Sequence, residues 1–155
     1  MSLPAIFLDV NIPMYAVGKE HPYKAPCAWV MRRVGEGRLA VAIDTEVLQE
    51  IMYRYGAINE AQGGASMSRR VLRIVPTVYA VTVPDIWRAI ALFEKHASQG
   101  VAARDTIHAA VMHSNGLTHI LSADQHFDRI EGITRIAVTS LEQVQADLDH
   151  FRVEP

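Results

Sequence analysis

Apolar positions along this chain follow two rhythms. Short unbroken apolar runs recur, as in Ala5-Ile6-Phe7-Leu8, Leu39 to Ile43, Tyr79 to Val83, His119 to Ser122 and Ile136-Ala137-Val138. Runs of this length, closed by an acid or a turn residue, predict strands buried on both faces. Between them, apolar side chains return every third or fourth residue, the period of a helix with one buried face. Asn11 and Pro13 open a turn or short helix. A helix follows from Pro22 or Pro26 to Val34, where Gly35 and Gly37 stop it. Asp44 or Thr45 can cap the next helix, with Val47, Leu48, Ile51, Met52 and Tyr55 on its core face. Gly56, Gly63 and Gly64 predict a looser region before a helix that starts at Ser66 or Ser68 and ends at Pro76. Pro84 and Asp85 open a strongly amphipathic helix carrying Ile86, Ile90, Phe93 and Ala97, closed by Gly100. Asp105 starts another, with Ile107, Ala110, Val111 and Ser114 at helical spacing, and Ser140 caps a last one to about Leu148. Strands alternating with helices predict a mainly parallel sheet in a three-layer α/β/α sandwich.

Length and composition agree with one domain over residues 1–155, half of whose residues are apolar. No apolar run reaches the length of a membrane span, and the N-terminus lacks a basic region preceding its apolar run. The single cysteine, Cys27, has no intramolecular partner, which suits a reducing compartment. The expectation is a cytoplasmic protein. A net charge of −2 does not mark a general nucleic-acid binder, yet 12 of the 15 basic residues are arginine, the side chain suited to forked phosphate contacts. Arg69, Arg70 and Arg73 cluster, although a solvated helix face is the better explanation of any one of them.

Acids change the picture more. Asp9 ends the first strand, Glu50 lies in the helix after the second, Asp105 opens a helix, and Asp124 follows a later strand. Right-handed crossovers bring the ends of parallel strands to one edge of the sheet, where ligands of such sheets bind. Four carboxylates meeting there repel one another unless a cation sits between them. Oxygen donors without cysteine suit Mg2+ or Mn2+ rather than zinc, and such ions act on phosphates. Each acid also has a plainer explanation. Asp9 can start an Asx turn, Glu50 can pair with Arg54 four residues on, and Asp105 and Asp124 can serve as helix caps. Asp128 lies one turn beyond Asp124 and can simply pair with Arg129. The histidines carry less: His108 and His113 do not share a helical face, and His126 reads as an exposed turn residue.

Four motifs, Leu8-Asp-Val-Asn11, Glu46-Val-Leu-Gln-Glu-Ile51, Ala103-Arg-Asp-Thr-Ile-His-Ala-Ala110 and Ser122-Ala-Asp-Gln-His-Phe-Asp128, give the chain a resemblance to PIN-domain ribonucleases. It is most similar to the toxins of VapBC-type toxin–antitoxin pairs. The resemblance implies that Asp9, Glu50, Asp105 and Asp124 are the catalytic acids. It makes Asp9, Asp105 and Asp124 metal ligands with Asp128 auxiliary, and Asn11 and Ser122 supporting polar groups. It further implies a Mg2+- or Mn2+-dependent endoribonuclease, an RNA substrate, a homodimer and an antitoxin that occupies the active-site groove. Two positions depart from the pattern: Val10 and Ala102 stand where the family often has hydroxyl residues.

Three other readings remain. A phosphatase of the haloacid-dehalogenase type needs a second acid two residues after the first, where this chain has Asn11. A PIN-like binding module that has lost catalysis, and a PIN nuclease of RNA maturation without an antitoxin, share the same motifs.

Overall fold

A computed structural model describes residues 4–155. Five strands, β1 (Ile6–Leu8), β2 (Val41–Asp44), β3 (Thr77–Tyr79), β4 (His119–Leu121) and β5 (Thr134–Ile136), form one parallel sheet in the order β3-β2-β1-β4-β5. Helices α1 (Asn11–Val17), α2 (Lys24–Gly35), α3 (Thr45–Ala57), α4 (Ala61–Ile74), α5 (Val83–His96), α6 (Ala103–Ser114) and α7 (Leu141–Asp147) complete an α/β/α sandwich. β1 is central because it has no polar side chain to expose: Ile6, Phe7 and Leu8 are all buried. It pairs with β2 through Phe7 and Ala42 and with β4 through Leu8 and Leu121. Sequence order reverses at β1, which opens a crevice at the carboxyl ends of β1 and β4.

Local chemistry sets most helix starts. Asp44 caps α3 by accepting from Val47 N at 3.0 Å, and Ser140 caps α7 through Gln143 N. Thr82 and Asp85 form a reciprocal capping box on α5, two residues before the expected opening at Pro84. The expected strand at Tyr79 to Val83 is therefore displaced to Thr77–Tyr79, since Thr82 is committed to the helix. Helix α6 is buried nearly all round, through Thr106, His108, Ala109, Ala110, Val111 and Met112. Two surfaces differ from the periodicity. Met52 is exposed rather than in the core, and the α5 stripe Ile86, Ile90 and Phe93 faces outward while Ala89, Asp85 and His96 face inward.

The looser region expected around Gly63 and Gly64 is instead the first turn of α4, which starts five residues before Ser66. The reason is tertiary. Helices α3 and α4 form a tight hairpin, and a Cβ on Gly64 would lie 2.8 Å from Tyr55 Cβ. Glycine there marks a close approach of two helices, not a break in one.

The two glycines make a paired test. At Gly64 an added methyl meets an atom fixed to the backbone, so an overpacking cost of about 1–3 kcal/mol outweighs a helix-propensity gain of about 1 kcal/mol. At Gly63 the nearest atom is the Tyr55 ring at 3.4 Å, which can give way. Gly64→Ala is expected to lower the melting temperature and Gly63→Ala to leave it equal or higher. Equal losses in both would show that the helix contact does not require glycine.

Candidate active site

Asp9 leaves β1 at the crevice, its own amide still donating to Leu121 O at 3.1 Å and so continuing the strand ladder. Its carboxylate is held from three sides. Val10 N donates to Oδ1 at 2.8 Å, while Ser122 Oγ at 2.5 Å and Asn11 Nδ2 at 3.2 Å donate to Oδ2. Ser122, just beyond β4, also receives Asp124 N on its hydroxyl at 2.9 Å. One serine thus ties together the acids at the ends of two neighbouring strands.

Glu50 reaches the same place from the second turn of α3, and Asp105 from the first turn of α6. Asp105 reaches back to Ala102 N at 3.3 Å, a bond that orients it. With Ala102 at the N-cap, no side chain caps that helix end. Asp9, Glu50 and Asp105 are 4%, 2% and 5% exposed, whereas Asp124 is only half-buried. Asp124 Oδ1 takes both the amide and the ring Nδ1 of His126, at 2.9 and 2.7 Å. Each aspartate therefore engages a local backbone amide.

Burial and neighbouring charge shift the carboxyls of Asp105, Asp9 and Glu50 from their ordinary ranges. Burial, then Asp124, then Asp9 push the Asp105 carboxyl up to about 6. Burial, followed by the nearby Glu50, also raises Asp9, against the opposing pull of His108, Ser122 and Val10 N. Burial works to raise Glu50 too, but His108, Arg54 and Arg104 outweigh it and hold this acid below the ordinary range. Arg54 and Arg104 lie 2.9 and 3.4 Å from Glu50 Oε2.

Donor atoms of Asp9 and Glu50 lie within 4.8 Å of each other and of His108, a group that does not include Asp105 or Asp124, while Asn11 and Ser122 bond to Asp9. The structure does not bring Asp128 to them. Both Asp128 oxygens are bound by Arg135, at 3.0 and 3.1 Å, and Arg135 also donates to Ser122 O. Asp128 anchors an arginine under the β4 turn. Val10 is a buried core residue.

Sequence reasoning passed over two residues. Asp44 and His108 are fully buried, with His108 Nδ1 2.8 Å from Asp44 Oδ2. The signal was present in the Asp105-Thr-Ile-His108 spacing, because residues three apart share a helix face. A groove of about 650 Å³ runs from Asp124 past Asn11 and Tyr15 to Lys19, His21 and Arg54. Buried carboxylate oxygens are donors suited to a hard divalent cation.

The PIN domain family model matches residues 6–133. A VapC ribonuclease of Mycobacterium bovis is 34% identical over 132 residues, 85% of this chain and 99% of that protein. Ribonuclease VapC7 of Mycobacterium tuberculosis is 29% identical over 136 residues, 84% of this chain and 90% of its own length. Among solved structures, the fold is similar to Mycobacterium tuberculosis VapC20, a Sarcin-Ricin loop cleaving toxin. The TM-score is 0.66 at 17% identity, over 81% of this chain and 94% of that one. It is also similar to VapBC2 from Rickettsia felis bound to a DNA fragment from their promoter, with a TM-score of 0.65 at 16% identity, over 86% of this chain and 98% of that one.

The raised Asp105 makes a stability prediction with a definite sign. Folding increases its proton affinity, so its contribution favours the fold in acid and is lost as pH rises through about 6. In EDTA at neutral pH, Asp105→Asn is expected to stabilise the protein by about 1–3 kcal/mol, a gain that shrinks toward about pH 4. Thermal melts across that range check it. A gain independent of pH would place Asp105 outside a repulsive cluster.

Proposed function

The chain belongs to the PIN domain family, and from that membership and the site geometry we propose that it is a divalent-metal-dependent endoribonuclease. The observation that carries this reading is the burial of Asp9 and Glu50 with donor atoms within 4.8 Å of each other, while Asp105 is buried on α6 and Asp124 lines the adjoining groove. Burying like charges together is costly unless a cation offsets them. Asp9, Asp105 and Asp124 would hold Mg2+ or Mn2+, with Glu50 completing the set. Bound there, the ion supplies Lewis acidity toward a phosphodiester and a water nucleophile.

The chain's own residues do the positioning. Ser122 and Asn11 fix the Asp9 carboxylate, and Ala102 N fixes Asp105. Arg54 and Arg104 clamp Glu50 from the solvent side, where their half-exposed guanidinium groups also stand ready for RNA phosphates. The groove beside Arg54 carries Tyr15 and His21 along its wall, side chains suited to stacking on the bases of looped RNA.

We assign the protein the role of toxin in a toxin–antitoxin pair, acting in the cytoplasm as a homodimer. Supporting the partners are the relatives' own roles, the outward apolar stripe of α5 for a second copy, and the groove over Asp124 for an antitoxin segment. No helix among the described residues is long and apolar enough to cross a membrane.

RNA cleavage assayed in Mg2+ or Mn2+, and again with EDTA, tests the activity. Asp9→Asn and Asp105→Asn are expected to lower the rate by about a hundredfold or more, and Ser122→Ala by about 10–100-fold through loss of Asp9 orientation. Unchanged rates in the two acid variants would rule out this mechanism. Mn2+ uptake without cleavage by the native chain would favour a binding module.

A further inference from the structure

His108 is fully buried at the site, and its Nε2 has no hydrogen-bond partner. The ring is not loose. Its Nδ1 is bound to Asp44 at 2.8 Å, and Asp44 is itself pinned by capping α3. Phe7 of the central strand packs against the imidazole, with ring centroids 5.3 Å apart. With Nδ1 committed to a carboxylate, Nε2 is aimed at Glu50 Oε1, 3.9 Å away.

That separation is too long for a hydrogen bond. Two donors bonded at about 2.1 Å to one ion stand roughly 3.0–4.2 Å apart, so it suits ligands of a shared cation. One donor atom each from Asp9, Glu50 and His108 lies within 4.8 Å of the others. A carboxylate accepting from the far nitrogen of an imidazole is the usual support of a metal-bound histidine. Among the described residues, two other buried side-chain atoms lack partners, Ser68 Oγ and His96 Nε2, but neither belongs to this donor group.

We propose that His108, oriented by Asp44, is a nitrogen ligand of a divalent ion held with Asp9 and Glu50, its Nε2 proton being released to solvent as the ion binds. This deepens the nuclease reading and rests on it. The consequence is selectivity. Mg2+ demands hard oxygen donors, whereas an imidazole favours a first-row transition ion such as Mn2+. Mn2+ therefore binds here more tightly than Mg2+, and His108 is the source of the difference.

The test loads the full-length protein with Mn2+ alone and reads nitrogen coupling by pulsed electron paramagnetic resonance, with Mg2+ competition measured by calorimetry. His21 and His126 are the other histidines near the groove, so the native chain and a His21→Gln/His126→Gln double variant are both expected to show imidazole coupling. His108→Gln is expected to lose the coupling and to bind Mn2+ about tenfold or more weakly, with Mg2+ affinity changed less. The double variant keeps the result decisive if His108→Gln does not fold. Bound Mn2+ without nitrogen coupling, or coupling lost in the double variant, would overturn the assignment of His108 while leaving RNA cleavage intact. Failure of the native chain to bind Mn2+ or cleave RNA would overturn the nuclease reading with it.

Discussion

Repulsion between buried carboxylates is the constraint around which the fold is arranged. Asp9 and Asp105 both have raised proton affinity, each from burial first and then from acid neighbours. Nothing local forces these side chains together, since Asp9 and Asp105 lie on opposite halves of the chain. Asp9 is placed by the parallel register of β1 between β2 and β4, and Asp105 by the first turn of α6. The apolar residues of β1 supply the stability that lets the end of the strand carry unfavourable charge.

Around that charge the protein has placed partial compensations, each of a different kind. Ser122 and Asn11 donate hydrogen bonds to Asp9, which favours the charged form without neutralising it. Glu50 alone has arginines, Arg54 and Arg104, and alone has its proton affinity lowered. Beneath them, burial disfavours a charged His108, but Asp44, Glu50 and Asp9 prevail and raise it well above its ordinary value. The outermost acid, Asp124, is partly solvated and tied to His126. The site is thus graded from an arginine-balanced side at Glu50 to Asp105, whose carboxylate is held by the Ala102 amide.

The outer surfaces follow another logic. Helix α5 is anchored by its capping box and by Ser114 donating to Asp85 at 2.6 Å, so its orientation is set by polar contacts. Its larger apolar residues consequently face outward, with Trp87 and Ile90 exposed. Apolar periodicity identified the helix correctly, yet it did not identify which face the chain's own core would take. The same holds for Met52 on α3.

Strand–helix alternation, the helix caps at Asp44 and Ser140, and the acids at strand ends were all legible in the sequence, because each depends on residues within one turn or one strand. Three things were not. Gly63 and Gly64 look like breakers until Tyr55 approaches from another helix. Asp128 shares spacing with Asp124, but Arg135 from a neighbouring strand captures it. His108 looks like an ordinary core residue until Asp44, sixty-four positions earlier, meets its ring. Local propensity and periodicity determine which elements form and what charge they carry. Only the sheet order decides which side chains meet, because contacts between distant residues are made by packing, and the chain does not encode them at fixed spacing.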